Sequence, residues 1–252
     1  MHQIPPNTSV LWQQTRIAGW LIMSTREPEL FLRECPFCGE SLKGLQTLCP
    51  NSECGVSLTP RMLVDWEIER LLGRGELVVD PVLNLRDSRG TKDRQLGPAS
   101  LDLRLDTLFK EFKSMNQASI DLRQEQREDE LYRLIELGPG PDNFYVLHTG
   151  EFVLAQSLEY VAFPDYLSGR LDGRSSYGRY GVTIHSTAGG VDPGFRGHLA
   201  FELSNNGKVP VELHPMERIA RLSFFLNGTS REPYRGKFQL QVKVKPPVPD
   251  QI

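Results

Sequence analysis

The sequence predicts a mainly β protein with short helices and a small cysteine-bearing module near its start. From residue 77 onward, apolar segments are short and are interrupted by Gly, Pro, Asp and Asn. This pattern is typical of a β-barrel or a jelly-roll-like sandwich. All four cysteines fall within residues 35–54. Their clustering indicates a separate structural element there.

Composition bounds the class of protein. The chain has 252 residues, 39% of them hydrophobic, and a formal net charge of -3. This length and composition suit one or two globular domains, and the charge balance lacks the basic excess of many nucleic-acid-binding proteins. The longest apolar run near the start, residues 17–23, is too short to span a membrane. We therefore expect a soluble cytoplasmic protein without a membrane partner.

The cysteines follow the pattern C-x2-C-x10-C-x4-C, with ligand positions Cys35, Cys38, Cys49 and Cys54. Two short knuckles of this kind supply the four thiolates that tetrahedral zinc requires, and an all-cysteine set indicates a structural site. The alternatives are two disulfides or four unrelated thiols. We assign residues 1–60 to an N-terminal extension with a four-cysteine zinc-knuckle module, and residues 61–252 to a β domain.

Three local patterns define expectations within the β domain. Asp65 is expected to cap a short helix that ends at Gly73. Residues 121–143 are first highly charged and then turn-rich, which indicates a surface insertion between strands. Near the end of the chain, apolar and polar residues alternate and predict a last strand. The apolar positions of that strand are Phe238, Leu240, Val242 and Val244.

The densest polar chemistry lies in residues 173–205. Arginine and serine side chains beside glycine suit phosphate oxygens, although a solvated polar turn is the alternative. These side chains are Arg174, Ser175, Ser176 and Arg179. Residues 186–190 are small, so their backbone can lie against a flat ligand.

A predicted strand over residues 197–205 carries a glutamate on its polar face. Leu199, Phe201 and Leu203 share one face of the strand. Glu202 lies on the other face, where it is either an acid–base catalyst or a solvent-facing residue. Asp192 is followed by Pro193 and Gly194, and this composition alone indicates a turn.

These residues carry a resemblance to the dCTP deaminases, within the trimeric dCTP deaminase/dUTPase superfamily. The resemblance covers about residues 61–241, and its motifs occur in the family's order. They include MLVDWEIERLLGRGELVVDP at 62–81, PASLDLRL at 98–105, GRSSYGRYG at 173–181 and TAGGVDPGFRGHLAFELSN at 187–205. The first 60 residues have no counterpart in the ordinary enzyme, so we treat them as an added module.

The resemblance implies a dUTPase-like β-barrel protomer in a homotrimer, with active sites at subunit interfaces. Glu202 would be the general base and acid that activates water for attack at cytosine C4. Ser175 and Arg179 would complete the catalytic set, with Arg179 reaching from a neighbouring subunit, and the Ala188 carbonyl would lie near the reacting water. Mg²⁺ would accompany the triphosphate, and the zinc would be structural.

The resemblance also implies the contacts to dCTP. Arg174 and Ser176 would hold phosphates, and the backbone of Thr187, Gly189 and Gly190 would read the pyrimidine edge. The remaining contacts would come from Asp192 at the deoxyribose 3′-hydroxyl and from a C-terminal segment that folds over the nucleotide. The residues of that segment are Tyr234, Lys237 and Gln241.

The expected function is hydrolytic deamination of dCTP to dUTP and ammonia. One alternative is a bifunctional dCTP deaminase/dUTPase that gives dUMP and pyrophosphate, because GGVDPGFRG also resembles the dUTPases. A second alternative is a non-catalytic trimer that senses deoxynucleotides. In that case the N-terminal module would contact a partner protein or nucleic acid.

Overall fold

The computed structural model describes residues 34–43, 47–86, 93–113, 119–121, 123–124, 127–138, 140 and 142–245. The predicted N-terminal extension before residue 34 lies outside the described residues. Everything that is described belongs to one compact unit. Within it, no helix is long and apolar enough to cross a membrane.

The described chain is mainly β, which confirms the predicted fold class. Its helices are α1 (Asp65–Arg74), α2 (Glu128–Leu131) and α3 (Ser175–Gly178). Its strands are β1 (Arg61–Met62), β2 (Val78–Asp80), β3 (Leu101–Phe112), β4 (Tyr132–Glu136), β5 (Tyr145–Leu147), β6 (Phe152–Ala162), β7 (Leu167–Gly173), β8 (Val182–Thr183), β9 (Gly190–Val191), β10 (Arg196–Asn205), β11 (Val211–Leu213) and β12 (Arg218–Leu226).

Ten of these strands form one sheet, and its named strands pair antiparallel. The order is β8-β10-β6-β3-β12-β7-β9, with β1 on β12, β2 on β6 and β4 on β3, while β5 and β11 form a separate pair. In β10 the alternation buries Leu199, Phe201 and Leu203 as predicted. Glu202 therefore faces away from the core, because successive side chains of a strand point to opposite faces.

The first helix differs from its prediction at both ends. Asp65 lies inside α1, and Glu67 provides the cap by accepting a hydrogen bond from the Val64 backbone N–H at 3.1 Å. The helix passes Gly73 and ends before Gly75, whose φ of 72° is left-handed. Glycine adopts that conformation at low cost, which makes it a common helix terminator.

The cysteine-bearing residues share a hydrophobic core with the β domain. Cys35, Phe37 and Val56 belong to the same buried cluster as Ile68 and Leu71 of α1. Packing of this kind lets a small module draw stability from a larger core. The division of the chain at residue 60 stays a prediction.

The charged segment predicted as a surface insertion contains a strand of the main sheet. β4 pairs with β3 over five residues, and Tyr132 is buried against Phe112, with ring centroids 4.4 Å apart. Arg133 and Glu136 are exposed. The dense run of charges in the sequence, residues 121–130, precedes this half-buried strand, and the prediction of an insertion was wrong for residues 132–136.

The predicted last strand is not formed. Residues 237–240 make a turn, in which Leu240 has a φ of 56° and is exposed. The Gln239 side chain accepts a hydrogen bond from Arg196 N at 2.9 Å and donates one to Gly194 O at 2.9 Å. These side-chain bonds replace a regular ladder along this part of β10, and only Gln241 forms a bridge, to Gly197.

Candidate active site

A cavity of about 450 Å³ opens on the Glu202 side of β10, and we call it the glutamate cavity. It gathers seven of the residues that the sequence marks as catalytic or substrate-binding. They are Ala188, Gly190, Asp192, Glu202, Tyr234, Lys237 and Gln241. The strand that carries Glu202, the turn at Asp192 and the C-terminal segment thus meet at one cavity.

The carboxylate of Glu202 is fixed by the loop that precedes β9. Its Oε2 accepts a hydrogen bond from Ser186 N at 2.8 Å, and its own backbone N–H donates to Ile184 O at 2.8 Å. The far end of the loop is held by the bond from Leu171 N to Gly189 O at 2.7 Å. The loop backbone is therefore anchored on both sides of the carboxylate, next to where a ligand would lie.

Gly189 is required by the close packing of this loop. A Cβ added there would lie 2.9 Å from both His185 Cε1 and Leu171 O. Real Cβ atoms do not approach other atoms this closely, so a side chain would move the loop. Gly190 has open space around its Cα and lines the cavity.

Several cavity residues were missed by the sequence analysis. The walls also include Phe195, His198, Phe238 and Lys245. His198 Nδ1 donates to the Ser157 carbonyl oxygen at 2.9 Å, beside a bulge between His198 and Ala200. Its place on the same strand face as Glu202 was a signal that could have identified it. Lys245 follows the segment with recognisable motifs and gave no such signal.

Gln241 lines the cavity wall but is tightly bound within the protein. Its side chain is 2% exposed, donates to His198 O at 3.1 Å and accepts from Lys245 N at 3.2 Å. Tyr234 is anchored through its backbone N–H to Pro193 O at 2.8 Å. Both residues therefore shape the cavity in the described chain.

A second cavity, of about 500 Å³, lies at the start of α3, and we call it the arginine cavity. Arg174 and Ser176 line it, as do Arg104 and Arg218. Arg174 Nε pairs with Asp102 at 3.1 Å, and its Nη1 donates to Arg218 O at 2.7 Å. These bonds orient one guanidinium, a group whose planar fork suits phosphate oxygens. The lining also includes three carboxylates, those of Asp93, Glu212 and Glu217.

Four predicted site residues line neither cavity. Ser175 and Arg179 are exposed at the two ends of α3. Thr187 and Gly189 lie in the loop beside Glu202 without lining the cavity. A single chain thus holds the glutamate and the GRSS motif in separate places.

The four cysteines lie together, and the structure contains no disulfide between them. Their sulfurs are all within 4.8 Å of one another, with Cys35 and Cys54 3.8 Å apart and Cys38 and Cys49 3.4 Å apart. Four thiolates around a zinc ion at about 2.3 Å would be about 3.8 Å apart. Burial raises the pKa of the Cys35 thiol, so a bound cation would be needed to keep it as a thiolate at neutral pH. The donor set therefore fits a tetrahedral metal ion.

A family model described as dCTP deaminase-like matches residues 62–227. The chain belongs to this family. Among curated relatives, the chain is 42% identical over 174 residues to "dCTP deaminase, dUMP-forming" of Nocardia farcinica, a match that covers 69% of this chain and 81% of the relative. It is 40% identical to the protein of the same name from Corynebacterium jeikeium, with 69% and 86% of the two chains covered.

The fold of this dCTP deaminase-like chain is similar to a solved member of the family. The crystal structure of 2′-deoxycytidine 5′-triphosphate deaminase from Agrobacterium tumefaciens matches with a TM-score of 0.50 and 23% identity. The match covers 67% of this chain and about half of the other, 49%. The fold and family that the motifs predicted are confirmed.

Proposed function

We propose that the chain is a dUMP-forming dCTP deaminase, which releases first ammonia and then pyrophosphate. The observation that carries this proposal is the presence of Glu202 and Asp192 in one cavity. Deamination and cleavage at the α-phosphate each need a carboxylate that positions a water molecule. The names of the relatives favour this bifunctional alternative over a dCTP deaminase that stops at dUTP.

In the first step, Glu202 takes a proton from water as the water oxygen bonds to cytosine C4. The same carboxyl group delivers this proton to the ring nitrogen N3, then takes a second proton from the new C4 hydroxyl and passes it to the exocyclic amino group. The C4–N bond breaks and ammonia leaves, giving dUTP. The bond from Ser186 N to Glu202 holds the carboxylate while it exchanges protons with the substrate.

In the second step, a second water attacks the α-phosphorus of dUTP. The bond between that phosphorus and the oxygen bridging to the β-phosphate breaks, and pyrophosphate leaves with dUMP as the other product. We assign Asp192 to position this water and accept its proton. Asp192 is exposed at the cavity. A group that contacts both solvent water and the nucleotide needs this exposure.

We propose that the complete site forms between subunits of a homotrimer. Arg174 and Ser176 of one chain would bind the phosphates of a nucleotide whose base lies in a neighbour's glutamate cavity. Ser175 and Arg179 would complete the catalytic set at that base. The separation of the two cavities within one chain supports this arrangement. Backbone groups of Thr187, Ala188, Gly189 and Gly190 would read the base, and Tyr234, Lys237 and Gln241 would enclose the nucleotide.

Two metals have different parts in this proposal. Mg²⁺ would be bound by the triphosphate oxygens and would offset their charge. Zinc at Cys35, Cys38, Cys49 and Cys54 would be structural, because four protein ligands leave it no open position for catalysis.

The product ratio tests the proposal. Purified protein is incubated with dCTP and Mg²⁺, and ammonia, pyrophosphate and nucleotides are measured together. We expect equal amounts of ammonia, pyrophosphate and dUMP. Accumulation of dUTP without pyrophosphate would restore the deaminase-only function, and no product from dCTP or dUTP would favour the sensing trimer.

A Glu202→Gln variant tests the assignment of the carboxylate. Because an amide cannot take the proton from water, ammonia release should fall by at least about 1,000-fold. Glu136→Gln makes the same change on the exposed edge strand β4 and should retain full activity. Comparable ammonia release by the two variants would contradict the role of Glu202.

A further inference from the structure

The charged groups of the glutamate cavity are divided between its two sides. The carboxylates of Asp192 and Glu202 come from the β9–β10 region. The ammonium groups of Lys237 and Lys245 come from the segment that follows β12. A nucleotide in this cavity would therefore meet acidic groups along one wall and basic groups along the other.

Residues 241–245, which we call the C-terminal strap, are held against the sheet by buried polar side chains. Gln156, which is 1% exposed, donates to Val242 O at 3.2 Å and accepts from Val244 N at 2.6 Å. Lys110, also buried, donates to Val244 O and pairs with Glu128 at 2.6 Å. Buried polar groups cost free energy unless they are hydrogen-bonded, so these contacts favour one fixed position of the strap.

Lys245 is placed by this fixed strap. Its backbone N–H is bound by the buried Gln241 side chain, and its Nζ donates to Lys237 O at 3.1 Å. A lysine ammonium has three N–H groups, and the described residues give this one a single hydrogen-bond partner. Two N–H groups therefore remain for a ligand at the cavity.

We infer that Lys245 binds a phosphate group of the nucleotide whose base lies in the glutamate cavity. This inference rests on the proposed function and adds a residue to the site. The arginine cavity of the same chain does not include Glu202. Among the described lysines, Lys237 and Lys245 line the glutamate cavity, so these two can balance phosphate charge beside Glu202. Lysine recognises phosphate as a point charge, without the fixed planar geometry of arginine.

The test compares Lys245→Gln with Lys243→Gln. Lys243 lies on the same strap and is exposed, but it does not line the glutamate cavity. Calorimetry measures the Kd of two probes: inorganic tripolyphosphate, which has only the charge, and 2′-deoxycytidine, which has only the base and sugar. KM and kcat for dCTP are measured in parallel, and Lys245→Arg tests rescue by a retained charge.

We expect Lys245→Gln to raise the Kd of tripolyphosphate and the KM for dCTP about tenfold, as the loss of one charge-assisted hydrogen bond predicts. The Kd of deoxycytidine and kcat should change less than about twofold. Lys245→Arg and Lys243→Gln should behave like the unchanged protein.

Two results would overturn the inference. One is equal behaviour of Lys245→Gln and Lys243→Gln. The other is an equal loss of deoxycytidine and tripolyphosphate affinity in Lys245→Gln, because Lys245 would then shape the cavity instead of binding phosphate. Failure of the proposed function has a separate signature: the unchanged protein would bind both probes but release no ammonia from dCTP.

Discussion

Glu159 is a carboxylate buried inside the sheet, away from the proposed chemistry. It lies on β6, is fully buried, and accepts hydrogen bonds from Gln95 Nε2 and from Arg104 N, both at 2.9 Å. Burial raises its pKa to about 7, and the two hydrogen bonds oppose that shift. The group therefore exchanges a proton near neutral pH within the network that joins β3 to β6.

This shift predicts how stability depends on pH. Since the pKa of Glu159 is raised on folding, the folded chain holds its proton more tightly than the unfolded chain. The free energy of unfolding should then fall as pH rises from 4.5 to about 7, by up to about 3 kcal/mol from this group. Glu159→Gln removes the titration, so its stability should decline less over this range.

Urea unfolding at several pH values measures the difference. Glu136→Gln, on the exposed face of β4, serves as the control and should keep the pH dependence of the unchanged protein. Identical pH profiles for the unchanged protein and Glu159→Gln would refute the account of this residue.

At the residue scale, the sequence identified those side chains whose position follows from strand alternation. Glu202 could be placed opposite Leu199, Phe201 and Leu203 because a strand has a period of two. Lys245 could not be placed in this way, since its position depends on side-chain bonds from Gln156 and Lys110 across the sheet. No local sequence pattern reports such contacts.

At the scale of elements, the cysteine module is joined to α1 by packing as well as by its own sulfurs. The Phe37 and Trp66 rings lie 6.3 Å apart, and Phe37 is fully buried. Arg61 Nη2 donates to Ser57 O at 3.1 Å, and its guanidinium also pairs with the buried Glu67 of α1. If the four cysteines bind zinc as proposed, loss of the ion would therefore disturb the start of the β domain too.

Metal analysis tests this account of the module. We expect about one zinc ion per chain. Cys35→Ser should lose the metal and lower the free energy of unfolding by at least about 3 kcal/mol, because the metal supplies much of the stability of such modules. Ser52→Ala, at an exposed position within the second knuckle, should retain both zinc and stability. A metal-free protein as stable as the zinc-bound form would contradict this role.

The elements that sequence reasoning placed wrongly share a physical cause. The last strand fails because the Gln239 side chain takes backbone partners that a ladder would use, and Leu240 turns the chain. β4 was missed because its exposed charges obscure the burial of Tyr132. In both cases contacts with a distant strand decide the conformation, and local alternation or charge cannot reveal them.

At the scale of the whole molecule, the two halves of the proposed site lie in different cavities of one chain. The sequence places Glu202 and the GRSS motif within 30 residues of each other, yet the fold assigns them to different cavities. A homotrimer with shared sites would bring the halves together, since a symmetric assembly repeats the same contact around its axis. This arrangement is the central claim of the account.

Subunit complementation tests that claim most directly. Glu202→Gln and Arg179→Ala should each be inactive alone. Differently tagged chains of the two variants are then mixed, refolded and isolated as mixed trimers. If Glu202 and Arg179 of neighbouring chains share each site, every mixed trimer has both residues restored at one of its three sites, roughly a third.

The measurement is the rate of ammonia release from dCTP by the mixed trimers. A shared site predicts roughly a third of the rate of the unchanged protein. Mixed trimers that assemble but stay as inactive as either variant, beside an active unchanged protein, would contradict a site shared between subunits.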